Sequence, residues 1–120
     1  MNKALDIPKL ARSFKYAFRG LHQLVKREQN ARVHSVFAVL VVAGIFYFHI
    51  QGAEAAVLLL CIGLVFSLET ANTAVEKLLD VVHPESHSQI AFIKDALAGA
   101  VLVAAIVSLA TGLIIFGPHF

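Results

Sequence analysis

Two windows of the chain, Val33–Ala53 and Ala96–Phe120, contain no Asp, Glu, Lys or Arg. Each is long enough to cross roughly 30 Å of hydrocarbon as a helix. A third charge-free run, Ala55–Leu68, falls short of the usual spanning minimum of about 17 residues. It must therefore recruit polar residues into its last turns or fail to cross. The whole chain of 120 residues is 58% hydrophobic and 15% charged, with a mean hydropathy of +0.77, well outside the range of soluble domains. It reads as one domain over 1–120 of an all-α integral membrane protein, with spans expected at 33–51, 54–82 and 90–116.

Lys3, Lys9, Arg12, Lys15, Arg19, Lys26, Arg27 and Arg32 precede the first window, and only Lys77 and Lys94 follow it. The positive-inside rule then places the N-terminus in the cytoplasm, the turn "HIQGAEA" outside, the Lys77–Lys94 connection inside and "GPHF" outside. A net charge of +2 speaks here for orientation and anionic lipid, not for nucleic acid. Between Ile7 and Arg27, Leu10, Phe14, Phe18, Leu21 and Val25 recur every three or four positions among basic residues. With Asp6 and Pro8 as start signals, this pattern predicts an amphipathic surface helix over 7–27. Such a helix either anchors the chain or roofs a site at the membrane surface. Pro84 predicts the end of the second span, and "HPESHSQ" reads as a short loop. On the third span Ala100, Ala104, Ser108 and Gly112 form a stripe of small side chains, which lets helices approach closely within the chain or between copies. The single Cys61 excludes an intrachain disulfide and reads as a packing residue. No secretory signal is expected in the polar and amphipathic first thirty residues.

The short second window is followed by "SLETANTAVEKLLD". At 100° per residue, Glu69, Asn72, Thr73, Glu76 and Asp80 stay near one helix face. An ionised side chain at the bilayer centre costs on the order of 2.5–3.5 kcal/mol, so Glu69 and Glu76 need partners or water. A 1.5 Å rise per residue from Glu54 brings Glu69 to the inner headgroup boundary and Glu76 into the cytoplasmic layer. Carboxylates a turn or two apart, with Glu28 as a second contributor, suit a hard cation such as Mg²⁺ that keeps water and phosphate in its shell. A glutamate at an apolar boundary also suits general-base work on an alcohol. The same stripe would serve equally as interhelical hydrogen bonding or as the proton relay of a small transporter. Lys94 and Asp95 read either as a solvated interfacial pair or as phosphate and nucleotide contacts. His83 and His87 lack further ligands at metal-binding spacing, and His22, His34 and His49 read as packed or interfacial. Neither a GxxxxGKS/T loop nor a GxGxxG loop occurs, so any ATP chemistry would use an uncommon fold.

The segments "SFKYAFRGL", "EQNARVH", "LETANTAVEKLLD" and "IKDALAGAVLVAA", in this order and spacing, resemble the prokaryotic diacylglycerol kinase family of small membrane lipid kinases. The resemblance runs from about Ser13 to Pro118. "FSLE", "AGAVLV" and "GLIIFGP" look more like its undecaprenol kinase branch than its enterobacterial diacylglycerol kinase branch. What the resemblance implies is ATP-dependent, Mg²⁺-requiring phosphoryl transfer to the primary hydroxyl of a membrane lipid by a homotrimer with shared active sites in the bacterial inner membrane. In that comparison Glu69 matches the catalytic base and Asn72 the amide beside the reacting centre, and Glu28 and Glu76 match metal ligands that also contact the nucleotide. Tyr16, Glu85, His87, Lys94 and Asp95 match nucleotide-binding positions. Lys9, Ser13, Phe14, Ala17, Glu69 and Ala98 match positions around the lipid substrate, with Lys9 standing where some members carry arginine. Thr70 and Ala71 replace bulkier apolar residues, and Ala31 replaces an aromatic, changes expected to widen an acyl or prenyl groove.

Overall fold

The computed structural model describes residues 4–120, so that Lys3 lies outside the described residues. Its elements are four helices, α1 (Ile7–Arg27), α2 (Gln29–Tyr47), α3 (Gly52–Val82) and α4 (Ser88–Phe116), followed by a 3₁₀ turn over Gly117–His119. The helices α2, α3 and α4, the last extended by that turn, are each long and apolar enough to cross a membrane.

Local chemistry explains each boundary. Asp6 is extended, its Oδ1 accepts from Lys9 N–H at 3.2 Å, and Pro8 lies in the first turn of α1. The helical path then breaks for one residue. Glu28, at φ −107° and ψ 122°, leaves the helix while its N–H still donates to Leu24 O at 2.9 Å. From the first turn of α2, Arg32 Nη1 donates to Val25 O at 3.2 Å and Lys26 O at 2.9 Å, so carbonyls at the end of α1 are closed by a side chain from the next helix. The first expected span, 33–51, is therefore entered earlier, at Gln29, and α2 stops at Tyr47.

At the far end of α2, His49 N–H returns to Phe46 O at 3.4 Å and Ile50 N–H to Ile45 O at 2.9 Å, the bond pair of a Schellman motif. The left-handed position that usually holds glycine is taken here by His49, at φ 55°. Ile50 packs with Leu58 and Ile115 in a small core, bordered by Val41, Ile45, Phe48, Ala55 and Phe116. Gly44 lets α4 close on α2: a Cβ there would come within 2.9 Å of the Phe116 ring.

α3 starts at Gly52, two residues before the expected 54, and α4 at Ser88, two before the expected 90, where His87 Nδ1 accepts from Gln89 N–H at 3.1 Å as an N-cap. The longest packing seam joins α3 to α4. Of the small-residue stripe on α4, Ala104 is buried and Ala100, Ser108 and Gly112 are half-buried. Large apolar side chains such as Leu60, Phe46 and Ile114 point outward, as in helices that are apolar on all sides. Within the spans, Ser35 Oγ donates back to Ala31 O at 2.8 Å and Thr70 Oγ1 to Phe66 O at 2.7 Å, so both hydroxyls are satisfied without water.

Candidate active site

The site is built on α3, where a 3.6-residue period puts Glu69 and Asn72 on one face of a helix that packs against both α1 and α2. These are the buried polar side chains among the described residues, at 3% and 7% exposure. Glu69 Oε2 and Asn72 Oδ1 have no hydrogen-bond partner. Burying such atoms unpaired is unfavourable, so each calls for a partner or a role. Asn72 Nδ2 donates to Glu76 Oε1 at 3.3 Å, which ties the amide to the next carboxylate along the face. From α2, His34 Nε2 lies 3.8 Å from Glu69 Oε2. Glu28, at the α1–α2 corner, has Lys77 Nζ 3.7 Å from its Oε1. The carboxylates of Glu28 and Glu76 are near enough to Glu69 to repel it.

Asp80, the last member of the stripe, belongs to a different group. Lys94 Nζ donates to Asp80 Oδ1 at 2.7 Å, so the lysine pairs across the α3–α4 seam with Asp80. Around that pair, Glu85, His87, Pro84 and Ile90 line an open depression of about 470 Å³ that contains none of Glu28, Glu69 or Glu76. Asp95 is exposed, as are Lys9, Ser13, Phe14, Ala17 and Ala98. Tyr16 is exposed too, with the Arg19 guanidinium 5.7 Å from its ring centre. One chain thus gathers Glu28, Glu69, Asn72 and Glu76, holds Glu85, His87 and Lys94 in a second place, and leaves the α1 and Ala98 positions on its surface.

Beside Glu69 an apolar cleft of about 480 Å³ runs between α2 and α4, from His34 at one end to Phe116 and Phe120 at the other. Ala31 is wholly enclosed and lines neither this cleft nor the smaller cavity of about 70 Å³ against α3, so its small side chain opens no groove there. From sequence His34 reads only as packed or interfacial and Lys77 only as an orienting charge, yet each stands beside a carboxylate of the site. Their one sequence signal is that each lies a few residues from a carboxylate-bearing segment at the same end of its helix.

The prokaryotic diacylglycerol kinase family model matches residues 15–116. The chain belongs to that family. It is 35% identical to an undecaprenol kinase of Bacillus subtilis, over 94% of this chain and 92% of the relative. It is also 38% identical to a diacylglycerol kinase of Synechocystis sp., over 88% of this chain and 61% of the relative. With a diacylglycerol kinase of Escherichia coli it shares 26% identity over 99% of this chain and 98% of the relative.

For this family member the donor chemistry can be tested against Mg²⁺. Among the described residues no three His, Cys, Asp or Glu side chains gather closely enough to hold a metal ion by themselves. Mg²⁺ does not ask for one, because it is bound through one or two carboxylates and fills the rest of its shell with water and phosphate. Glu28 and Glu76 offer hard carboxylate oxygens within electrostatic reach of Glu69, whose Oε2 is unpaired, a donor type that fits such an ion.

Proposed function

We propose that this chain is an ATP-dependent lipid kinase that transfers the γ-phosphate to the primary hydroxyl of a membrane lipid alcohol, with undecaprenol favoured over diacylglycerol. The observation that carries the reading is Glu69, a carboxylate at 3% exposure with an unpaired oxygen, in a chain of this family. The preference for a prenol rests on the similarity to the Bacillus subtilis undecaprenol kinase, which extends over most of both chains.

In this mechanism Glu69 accepts the proton of the lipid hydroxyl as its oxygen bonds to the γ-phosphorus and the bond to the ADP leaving group breaks. Phosphoryl transfer asks the protein mainly for positioning and charge stabilisation. Asn72 holds the face of α3 that carries Glu69, through its bond to Glu76. Glu28 and Glu76 would hold Mg²⁺, which when bound supplies neutralising charge to the phosphates. Lys94, Glu85 and His87, with Tyr16 and Asp95, would bind the nucleotide, and Lys9, Ser13, Phe14, Ala17 and Ala98 would border the lipid.

Because the Lys94 group and the Glu69 group lie apart in one chain, an active site shared between neighbouring subunits of a homotrimer accounts for both. The basic, amphipathic α1 would lie in the cytoplasmic headgroup layer of the inner membrane, with three spans running N-terminus in and C-terminus out. A lipid alcohol held by its tail and ATP arriving from the cytoplasm would then meet near Glu69.

The test is phosphate incorporation from ATP by the purified full chain in one detergent, with a prenol and a diacylglycerol side by side, with and without Mg²⁺. Faster Mg²⁺-dependent labelling of the prenol is expected. Labelling of neither lipid would overturn the kinase reading, and faster labelling of diacylglycerol would overturn the substrate preference.

A further inference from the structure

Glu69 is carried by α3, but the polar group that meets its shielded oxygen comes from another helix. His34 Nε2 stands 3.8 Å from Glu69 Oε2, with the two side chains 19% and 3% exposed. No hydrogen bond reaches Oε2. The same imidazole lines both apolar cavities beside α3, whose walls otherwise hold only the Ser108 hydroxyl and, in the smaller one, the weakly polar Cys61 thiol. A ring at that place faces a carboxylate on one side and hydrocarbon on the other.

We infer that His34 is a positioning residue for the transfer, its Nε2–H drawing the Glu69 carboxylate to a fixed place at the His34 end of the apolar cleft. This rests on the reading of Glu69 as the base. A base must lie within hydrogen-bond reach of the proton it takes, and a misplacement of about 1 Å costs on the order of 10²-fold in rate. An isolated carboxylate, its side chain free to turn away from Glu28 and Glu76 toward water, would lose that placement. His34 touches the reaction only through Glu69.

The experiment compares lipid phosphorylation by the full chain and by His34→Ala, His34→Gln, His34→Phe, Glu69→Gln and His34→Ala/Glu69→Gln, with thermal stability followed for each. His34→Ala is expected to lower kcat on the order of 10–100-fold with the KM for ATP unchanged. His34→Gln, which keeps an N–H near the Nε2 position, is expected to recover most of that loss, and His34→Phe, which keeps volume alone, none of it. In the Glu69→Gln background His34→Ala should cost nothing more, since residues acting as a unit are not additive. Rescue by Phe as good as by Gln, or losses that multiply in the double variant, would overturn the inference while leaving Glu69 as base. Full turnover by Glu69→Gln would remove the base reading itself. Should His34→Ala fail to fold, the Gln and Phe variants still decide between a donor and a filler.

Discussion

At the α2–α3 turn, backbone N–H groups of His49 and Ile50 close on the carbonyls of Phe46 and Ile45, and Leu58 is 2% exposed between Ile50 and Ile115. Phe48 adds aromatic contacts to Phe116, His119 and Phe120 at ring-centre distances of 6.0, 5.3 and 5.3 Å. At the opposite end of the same helices, the buried residues include the polar Glu69 and Asn72 beside Leu24 and Ala31, and one oxygen of each polar side chain has no partner. The first region is built from satisfied bonds and hydrocarbon packing. In the second, Glu28 and Glu76 both press on Glu69, with His34 beside Glu69 and Lys77 beside Glu28. Stability is concentrated where no chemistry is proposed, and the cost of burying charge is concentrated where it is.

The sharpest way to break this contrast is to remove the charge at the polar end. Glu69→Gln keeps shape and takes away the proton acceptor, so lipid phosphorylation should fall by about 10²–10⁴-fold. Because a buried carboxylate pressed on by Glu28 and Glu76 is replaced by a neutral amide, the melting temperature in detergent should hold or rise. A fall in activity together with a collapse of melting temperature would mean that Glu69 serves the fold.

Leu58→Ala is the converse experiment at the packed end. In a water-soluble core such a truncation costs about 2–5 kcal/mol, part transfer and part cavity. Lipid is as apolar as leucine, so much of the transfer part disappears and a smaller loss of stability is expected here. Turnover per folded molecule should be unchanged. If Leu58→Ala reduced turnover in fully folded protein, the two ends would be coupled and the contrast would fail.

Much of this arrangement could be read from the chain, and where it could not the reason is distance between helices. Asp6 with Pro8 and the His83–Pro84 step mark helix ends by chemistry within a few residues, and they do so at Ile7 and Val82. The break at Glu28 carries no Gly or Pro, and its stabilising partner Arg32 acts from the next helix, so hydropathy alone puts the start of α2 at Val33 rather than Gln29. Similarly, a period of 3.6 brings Glu69, Asn72 and Glu76 to one face without any structure. It says nothing of register between helices. For that reason the neighbour of Lys94 in sequence, Asp95, is a natural candidate partner, whereas the lysine bonds Asp80 fourteen residues away. The pairing of His34 with Glu69 escaped sequence reading for the same cause.

Gly44→Ala tests the packed end more gently. The added methyl would approach the Phe116 ring to 2.9 Å, and overpacking of this kind costs about 1–3 kcal/mol, offset by up to about 1 kcal/mol from the better helix propensity of alanine. A modest drop in melting temperature is expected, with kinase activity intact. A rise would mean that the ring moves aside freely and that the α2–α4 approach does not depend on a bare backbone.

The smallest effect is expected at His49, and its sign is the informative part. A non-glycine residue in the left-handed region carries on the order of 1 kcal/mol of strain that glycine does not. Against this, glycine gives the unfolded chain more freedom, and the His49 ring would be lost from the turn. The ring is largely exposed and accepts or donates no described hydrogen bond, so the strain relief should prevail. His49→Gly is therefore expected to raise stability by about 0.5 kcal/mol, read as a small increase in melting temperature, and to leave phosphorylation unchanged. A loss of stability instead would show that the imidazole holds the α2–α3 turn through contacts with its surroundings. That end of the molecule would then also owe part of its order to a polar group, and the difference between the two ends would narrow.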